Sequence, residues 1–291
     1  MKRSKGEQIG HGLIAAVMLL MAISTIFPFW HVFMYAISDS HQAIGGGIFL
    51  WPRGIGFTQF RLLLGSENLF TSLRNSVLRV LIGVPFNLMM TAMLAYPLSR
   101  SELIGRGFLN KFVYMTMLFS GGLIPSFLLC KSLGLYDNPL VYFLPGAISA
   151  YNMFVVKSYF VSLPKELEES AQIEGAGVLY TLVKIILPIS VPVLAAIGMF
   201  SGVGHWNSWF DGMIYINSSK YQLFQVQLRS MMLDSAYQAV SGSKNFSDVG
   251  ALTEESVKMA AIVLSVLPVL IAYPFVQKYY IKGLMIGSVK G

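Results

Sequence analysis

Residues 8–38 read QIGHGLIAAVMLLMAISTIFPFWHVFMYAIS, with no Asp, Glu, Lys or Arg. Five further uncharged runs follow, at 80–99, 112–130, 138–156, 185–210 and 259–277. The shortest of them reach about 28 Å as helix at about 1.5 Å per residue, close to the hydrocarbon thickness of a bilayer. Soluble domains carry about 25% charged residues. This chain carries 12%, with 55% hydrophobic residues and a mean hydropathy of +0.62. Six such segments in 291 residues leave too little polar surface for a soluble core. The expectation is an all-α polytopic membrane protein, one transmembrane domain over 1–291. Its six transmembrane helices would lie at about 10–37, 76–98, 111–131, 138–159, 187–210 and 258–278.

The first run follows Lys2, Arg3 and Lys5, as a signal peptide would. It is too long for such a peptide's apolar region and has no clear small-residue cleavage site before Asp39, so it reads as a retained span. With the N-terminus inside, the inner segments hold twelve Lys and Arg against nine outside. The short inner segments are the denser, which fits the positive-inside rule and places both termini in the cytoplasm. That rule accounts for most of the net charge of +7. No basic stripe stands clear of a span, so nucleic acid is not an expected partner. Cys130 is the one cysteine, too few for an internal disulfide or a cysteine metal site, and reads as a packing residue.

Each run contains proline: Pro28, Pro85 and Pro97, Pro125, Pro145, Pro192, and Pro268 with Pro274. Proline kinks a membrane helix and frees a carbonyl that neighbours must satisfy. Gly121-Gly122 ahead of Pro125 is the best candidate for a true break. The outer loop after the first span carries turn signals at Gly45-Gly46-Gly47 and Trp51-Pro52-Arg53-Gly54, with a short helix expected over 57–64. A second, long polar outer loop is expected over 212–257.

The inner segment 162–187 differs from the other connections. Pro164 opens a helical stretch, and Glu166, Glu168 and Glu169 lie near the positive end of its dipole. Leu167, Ala171, Gly175, Val178, Leu179 and Leu182 fall on one face if the stretch stays helical; alternatively Gly175 turns the chain between two short helices. Ala171 and Gly175 leave the middle of that face small, open to close approach. Four glutamates, with Glu174 the fourth, disfavour an acidic lipid surface and favour a protein offering arginines.

Glu169-Ser170-Ala171, Gly175, Ile185, Leu187 and Pro188 match E-A-A-x3-G-x9-I-x-L-P with serine for the middle alanine. This resembles the coupling loop of the membrane subunits of binding-protein-dependent ABC importers. The resemblance covers nearly the whole chain, through Ala95-Tyr96-Pro97-Leu98-Ser99-Arg100, Phe119-Ser120-Gly121-Gly122-Leu123-Ile124-Pro125, Trp206-Asn207 and the tail from Gln277 to Gly291. It is similar to the carbohydrate importers of the maltose type, and the segment 119–125 to their complex or pectic oligosaccharide subgroup. The resemblance implies the type I permease fold in a bacterial cell membrane, and alternating access driven by a separate ATPase. Glu169, Ser170, Ala171, Gly175, Ile185, Leu187 and Pro188 would couple to that ATPase. Implied partners are a second permease subunit, an ATP-binding subunit dimer, an extracytoplasmic sugar-binding protein and an oligosaccharide.

The residues agree on what is missing. No G-x-x-x-x-G-K-[ST] phosphate loop occurs, so ATP and magnesium are expected on the partner and no cofactor here. His11, His31, His41 and His205 are scattered, and neither a catalytic constellation nor a metal site is expected. For the translocation path the candidates are Asn87, Asn152, Trp206 and Asn207, with interhelical packing the alternative for Asn87 and Asn152 and the aromatic belt the alternative for Trp206. Arg79 is a candidate contact for an acidic sugar, against snorkelling to headgroups. An ion-coupled secondary transporter is the main alternative, weakened because no Asp or Glu lies within a span. A membrane scaffold, or the same ABC role with a non-sugar cargo, are the others.

Overall fold

The computed structural model describes residues 5–43, 46–47, 50–241 and 254–288. Gly45 of the expected glycine turn, 242–253 of the expected outer loop and 289–291 of the tail lie outside them. All the regular elements among the described residues are helical. In chain order they are α1 (Lys5–Ala36), α2 (Ser40–Ala43), α3 (Thr58–Leu64), α4 (Glu67–Ser99), α5 (Arg106–Leu118) and α6 (Leu123–Ser132). After a 3-10 turn at Pro139–Tyr142 come α7 (Ala150–Ser162), α8 (Glu166–Ile173) and α9 (Val178–Thr181). A π turn at Leu182–Ile186 leads into α10 (Leu187–Ile189) and α11 (Val191–Asn207). The chain continues through α12 (Phe210–Tyr215), a 3-10 turn at Ser219–Tyr221, α13 (Phe224–Ser241) and α14 (Glu254–Ser288).

Gly10–Ala36 of α1 and Asn68–Ser99 of α4 are each long and apolar enough to cross a bilayer unaided. Run 112–130 is not one rod: α5 and α6 meet at 115° across Phe119–Gly122. This is the glycine break expected from the sequence. Gly122 adopts φ 86°, ψ 173°, a region essentially confined to glycine, and Ser126 Oγ donates to its carbonyl at 2.7 Å. Pro125 falls in the first turn of α6, where a missing N–H costs nothing.

Run 138–156 also departs from a continuous helix. Only α7 is α-helical, capped by Ser149 Oγ accepting from the Asn152 amide at 3.4 Å. Upstream, Asn138 Oδ1 caps the 3-10 turn and Pro139 opens it. Pro145 and Gly146 then keep the chain unwound, since neither supports a continuing helix. Run 185–210 bends by 82° between the Val178–Ile189 stretch and α11. Pro188 and Pro192 sit in the first turns on either side of Ser190.

The chain packs as two units. In the first, Met1–Glu67 with Leu228–Pro268, Met34, Tyr35 and Ala43 bury together. The fully buried Gln59 of α3 donates its amide to the carbonyls of Ala36, Ser38 and Gly56. α3 is the short helix expected over 57–64. The second unit, Asn68–Gln227 with Val269–Gly291, has two cores. One joins Ala92, Ala95, Tyr96 and Leu98 of α4 to Met153, Val156 and Phe160 of α7 and to Leu182, Ile186 and Ile197. The other joins Cys130, Leu135, Val141, Tyr142, Ile216 and Leu223, so Cys130 is a packing residue.

The stretch expected as a polar outer loop from 212 is instead largely helical. Its entry is tied to α4 by Asn75 Nδ2, which donates to the carbonyls of Lys220 (2.8 Å) and Gln222 (3.0 Å). The Phe224 amide donates to Ser76 Oγ at 2.9 Å.

The break at Gly122 predicts a contrast between adjacent glycines. Gly122→Ala should cost about 1–3 kcal/mol of backbone strain, although its Cβ would meet open space. Gly121→Ala, whose Cβ would meet only Pro125 Cβ at 3.9 Å, should melt near wild type in detergent. Equal melting temperatures for the two variants would contradict this account.

Candidate functional site: the coupling segment and a buried polar chain

The inner segment folds as two short helices, not one. α8 opens with Glu166, Glu168 and Glu169 in its first turn, favourable at the positive end of the dipole. It ends in a Schellman motif: the Ala176 amide donates to Ala171 O (2.8 Å) and the Gly175 amide to Gln172 O (3.0 Å). Gly175 sits at φ 80°, where only glycine is unstrained. Of the two expected readings, the turn at Gly175 holds and the continuous apolar face fails. Leu182 and Ala171 are buried, whereas Val178 and Leu179 are exposed.

The motif residues separate by face. Glu169, Ser170 and Gly175 are exposed, and Ser170 Oγ donates to Glu166 O at 2.8 Å. Ala171 turns inward and is buried within the chain. Ile185 and Leu187 are half-buried and Pro188 is exposed. Around the outward residues lie four large exposed side chains, Ile173 (87%), Val178 (73%), Leu179 (66%) and Tyr180 (58%). Exposed apolar side chains close in sequence to the exposed Glu169 and Glu174 have the composition of a protein-docking surface.

The inward face of α8 holds a residue that the sequence reading passed over. Glu168 forms an ion pair with Arg100, just past the end of α4. The Arg100 guanidinium lies over the Tyr96 ring, 4.6 Å from its centroid. Tyr96 in turn packs edge-on against Phe160 of α7, with centroids 6.2 Å apart. Burial raises the Glu168 carboxyl above its ordinary range, and Arg100 opposes that rise. The available signal was spacing: Glu168 and Ala171 are three apart and share a helix face.

A second polar constellation lies in the same unit. Asn87, Gly83 and Arg79 follow one another at four-residue intervals on α4. Arg79 is buried and pairs bidentately with Asp211 of α12, Nη1 to Oδ1 at 3.1 Å. Its Nε donates to His205 Nδ1 at 3.2 Å, and its guanidinium lies 4.6 Å from the Tyr142 centroid. His205 Nε2 meets Asn87 Oδ1 at 2.6 Å. Accepting at Nδ1 makes Nε2 the protonated nitrogen, so the imidazole donates to Asn87. Asn87 Nδ2 then donates to Gly146 O (2.9 Å) and Ala147 O (3.0 Å), carbonyls of the unwound stretch before α7. On the acid side, Asp211 Oδ1 also accepts from Ser208 Oγ at 2.7 Å and the Gly212 amide at 2.9 Å. The His205 ring rests on Gly83, where a Cβ would come within 2.7 Å of Nε2.

The path and sugar candidates therefore divide. Asn87 is spent on His205 and on backbone carbonyls, and Arg79 on a carboxylate of its own chain. Trp206 is buried, with its ring 5.8 Å from Phe224, and so packs in the interior and not at an interfacial belt. Asn152 is half-buried in the first turn of α7, and Asn207 is exposed at the end of α11.

Two apolar helices of spanning length and two bent helix pairs are the marks of a multi-pass membrane protein. Residues 73–285 match the family described as binding-protein-dependent transport system inner membrane component, and the chain belongs to that family. It is 38% identical over 282 residues to the polygalacturonan/rhamnogalacturonan transport system permease protein YtcP of Bacillus subtilis (strain 168), covering 96% of this chain and 97% of that one. Among solved structures, a chain of a bacterial ABC transporter involved in the import of the acidic polysaccharide alginate superposes with a TM-score of 0.85 at 29% identity. That match covers 96% of this chain and 99% of the other. A chain of a bacterial alginate ABC transporter, solved with an alginate pentasaccharide-bound periplasmic protein, superposes at 0.59 and 17% identity over 94% and 96% of the two chains. It speaks for the fold alone.

The polar chain predicts an asymmetric response to substitution. Asp211→Asn or Arg79→Gln leaves one buried charge uncompensated, at a cost of about 3 kcal/mol. Removing both charges as Arg79→Met with Asp211→Leu should recover much of that loss. Thermal melts of the purified chain decide it: a double variant less stable than either single one would contradict the pairing.

Proposed function

We propose that this chain is one of two membrane-spanning permease subunits of an ATP-driven importer of oligosaccharides, with uronic-acid-containing chains as the favoured cargo. The observation that carries this reading is the α8–Gly175–α9 hairpin. It presents Glu169, Ser170 and the apolar quartet Ile173, Val178, Leu179 and Tyr180 away from the chain's own core. The natural occupant of such a surface is a soluble partner with arginines facing Glu169 and an apolar groove for the quartet. In this reading that partner is the ATP-binding subunit dimer. ATP and magnesium reside there, and the present chain is not an enzyme and holds no cofactor.

The remaining parts follow. Both termini and the hairpin face the cytoplasm, with six spans between them and a sugar-loaded extracytoplasmic protein docking on the other side. Residues 10–30 of α1 are all exposed, as suits a helix covered by lipid or by the sister permease. Preference for acidic cargo rests on the relatives named for polygalacturonan and for alginate, both polyuronates. Asn152 and Asn207 remain the candidate path residues of this chain, because Asn87, Trp206 and Arg79 are engaged in holding helices together. Alternating access would then turn the spans outward as the ATPase dimer closes on ATP.

Copurification tests the docking surface. Tagged wild-type chain should bring down the ATPase and the sister permease, and Glu169→Arg should lose the ATPase while keeping the permease. Full retention of the ATPase by the variant would sink the assignment of Glu169.

A further inference from the structure

Resting on the docking reading above, the question is how motion of α8 reaches the spans. α8 has two inward residues. Ala171 contributes a methyl group, so the directional contact is Glu168. That carboxylate meets Arg100 at the cytoplasmic end of α4. Arg100 is not a flexible surface arginine: its side chain is about one-fifth exposed, stacked on the buried Tyr96 and backed by the fully buried Phe160. A planar guanidinium held by a ring on one side and a carboxylate on the other resists displacement better than a point charge would. Its Nε is buried and finds no acceptor among the described residues, which leaves one donor for a second arrangement.

α4 continues without interruption from Ser99, next to Arg100, back past Arg79, about 30 Å at about 1.5 Å per residue. At that far end lies the Asp211–Arg79–His205–Asn87 chain. α4 thus meets two ion pairs, one to the docking helix just past its C-terminus and one to α12, beyond α11, about three turns in from its N-terminus.

We propose that the Glu168–Arg100 pair, clamped on Tyr96, is the link through which α8 and α4 move as one body, so that displacement of the docking helix is delivered to the outer half of α4. Arg100 and Glu168 are positioning residues: they act through α8 and α4 and touch neither nucleotide nor sugar. A surface pair would contribute little here. This one is shielded from water and is the charged contact between the two helices.

Distance measurement between spin labels at Gln172→Cys on exposed α8 and Phe70→Cys on the outer turn of α4 tests it, in a Cys130→Ala background. The full assembly in nanodiscs is read without nucleotide and trapped with ATP and vanadate. The wild-type pair should keep one narrow distance in both states. In Arg100→Gln and Glu168→Gln the distance should shift and broaden on trapping, with the ATPase still bound in wild-type amount. The swap Arg100→Glu with Glu168→Arg should narrow it again. Distributions in the single variants identical to wild type in both states overturn the proposal, and so does a swap no narrower than the single variants. Equal yields of assembled complex separate lost linkage from lost folding. Failure of the docking reading would appear differently, as absence of the ATPase from the wild-type preparation. The nucleotide-free comparison still reads the α8–α4 link in that case.

Discussion

A backbone carbonyl left without a partner in hydrocarbon costs several kcal/mol, and the second unit is arranged around meeting that cost. The segment between Tyr142 and Ala150 is not helical, and a continuous helical ladder does not serve its carbonyls: Leu144 O accepts from the Ala147 amide and Ser149 O from the Met153 amide. Asn87 supplies donors to two of them, Gly146 O and Ala147 O. An asparagine in a membrane helix is itself expensive, but here its remaining oxygen is taken by His205, whose other nitrogen is taken by Arg79, whose charge is taken by Asp211. Each polar group is admitted by the next. The sequence of debts ends on Asp211, which Ser208 Oγ and the Gly212 amide also stabilise.

This dependence explains the geometry of α4 against α11. His205 can reach both Arg79 and Asn87 only if the two helices approach closely. Gly83 on α4 gives the ring its place. Gly198 and Gly202 on α11 lie against Leu88 and Val84, where a Cβ at Gly198 would come within 3.3 Å of Leu88 Cδ1. Small residues at four-residue spacing are the usual means of close helix approach in lipid. The apolar core of Ala92, Ala95 and Tyr96 with Met153, Val156 and Phe160 then fixes the inner half of the same helix.

Much of this was legible in the residues, and the illegible part has a physical pattern. Uncharged runs marked the two helices long and apolar enough to cross a bilayer unaided, Gly10–Ala36 and Asn68–Ser99, because desolvating a charge is costly at any position. Gly121-Gly122 and Gly175 marked breaks because φ near +80° is open to glycine alone. Unwinding between 142 and 150 was hidden, because a run free of charge looks the same whether its backbone is helical or irregular. α13 was hidden for the opposite reason: a polar stretch can be helix when its first turn is anchored elsewhere, here by Asn75 and Ser76. Arg79 looked like a lone charge because its partner, Asp211, lies 132 positions away in sequence. Glu168 was overlooked beside Glu169 because the motif counts positions along the chain, whereas the helix sorts neighbours onto different faces.

The placement of charge along α4 bears on how such a helix can move. A charge at the bilayer centre is prohibitive, and the cost falls towards either interface. Arg79 lies about three turns into α4 and Arg100 just past its C-terminus, and the stretch between them carries no charge. Interdigitated apolar packing admits small sliding steps between discrete arrangements but not continuous deformation. In the linkage proposed above, the two ion pairs would add direction to that sliding by fixing which partners α4 follows, α8 through Arg100 and α12 through Arg79. A purely apolar helix in the same groove would be as stable and would have no preferred partner to obey. On this view the two buried pairs, costly in stability terms against hydrophobic replacements, are retained because they specify what α4 moves with.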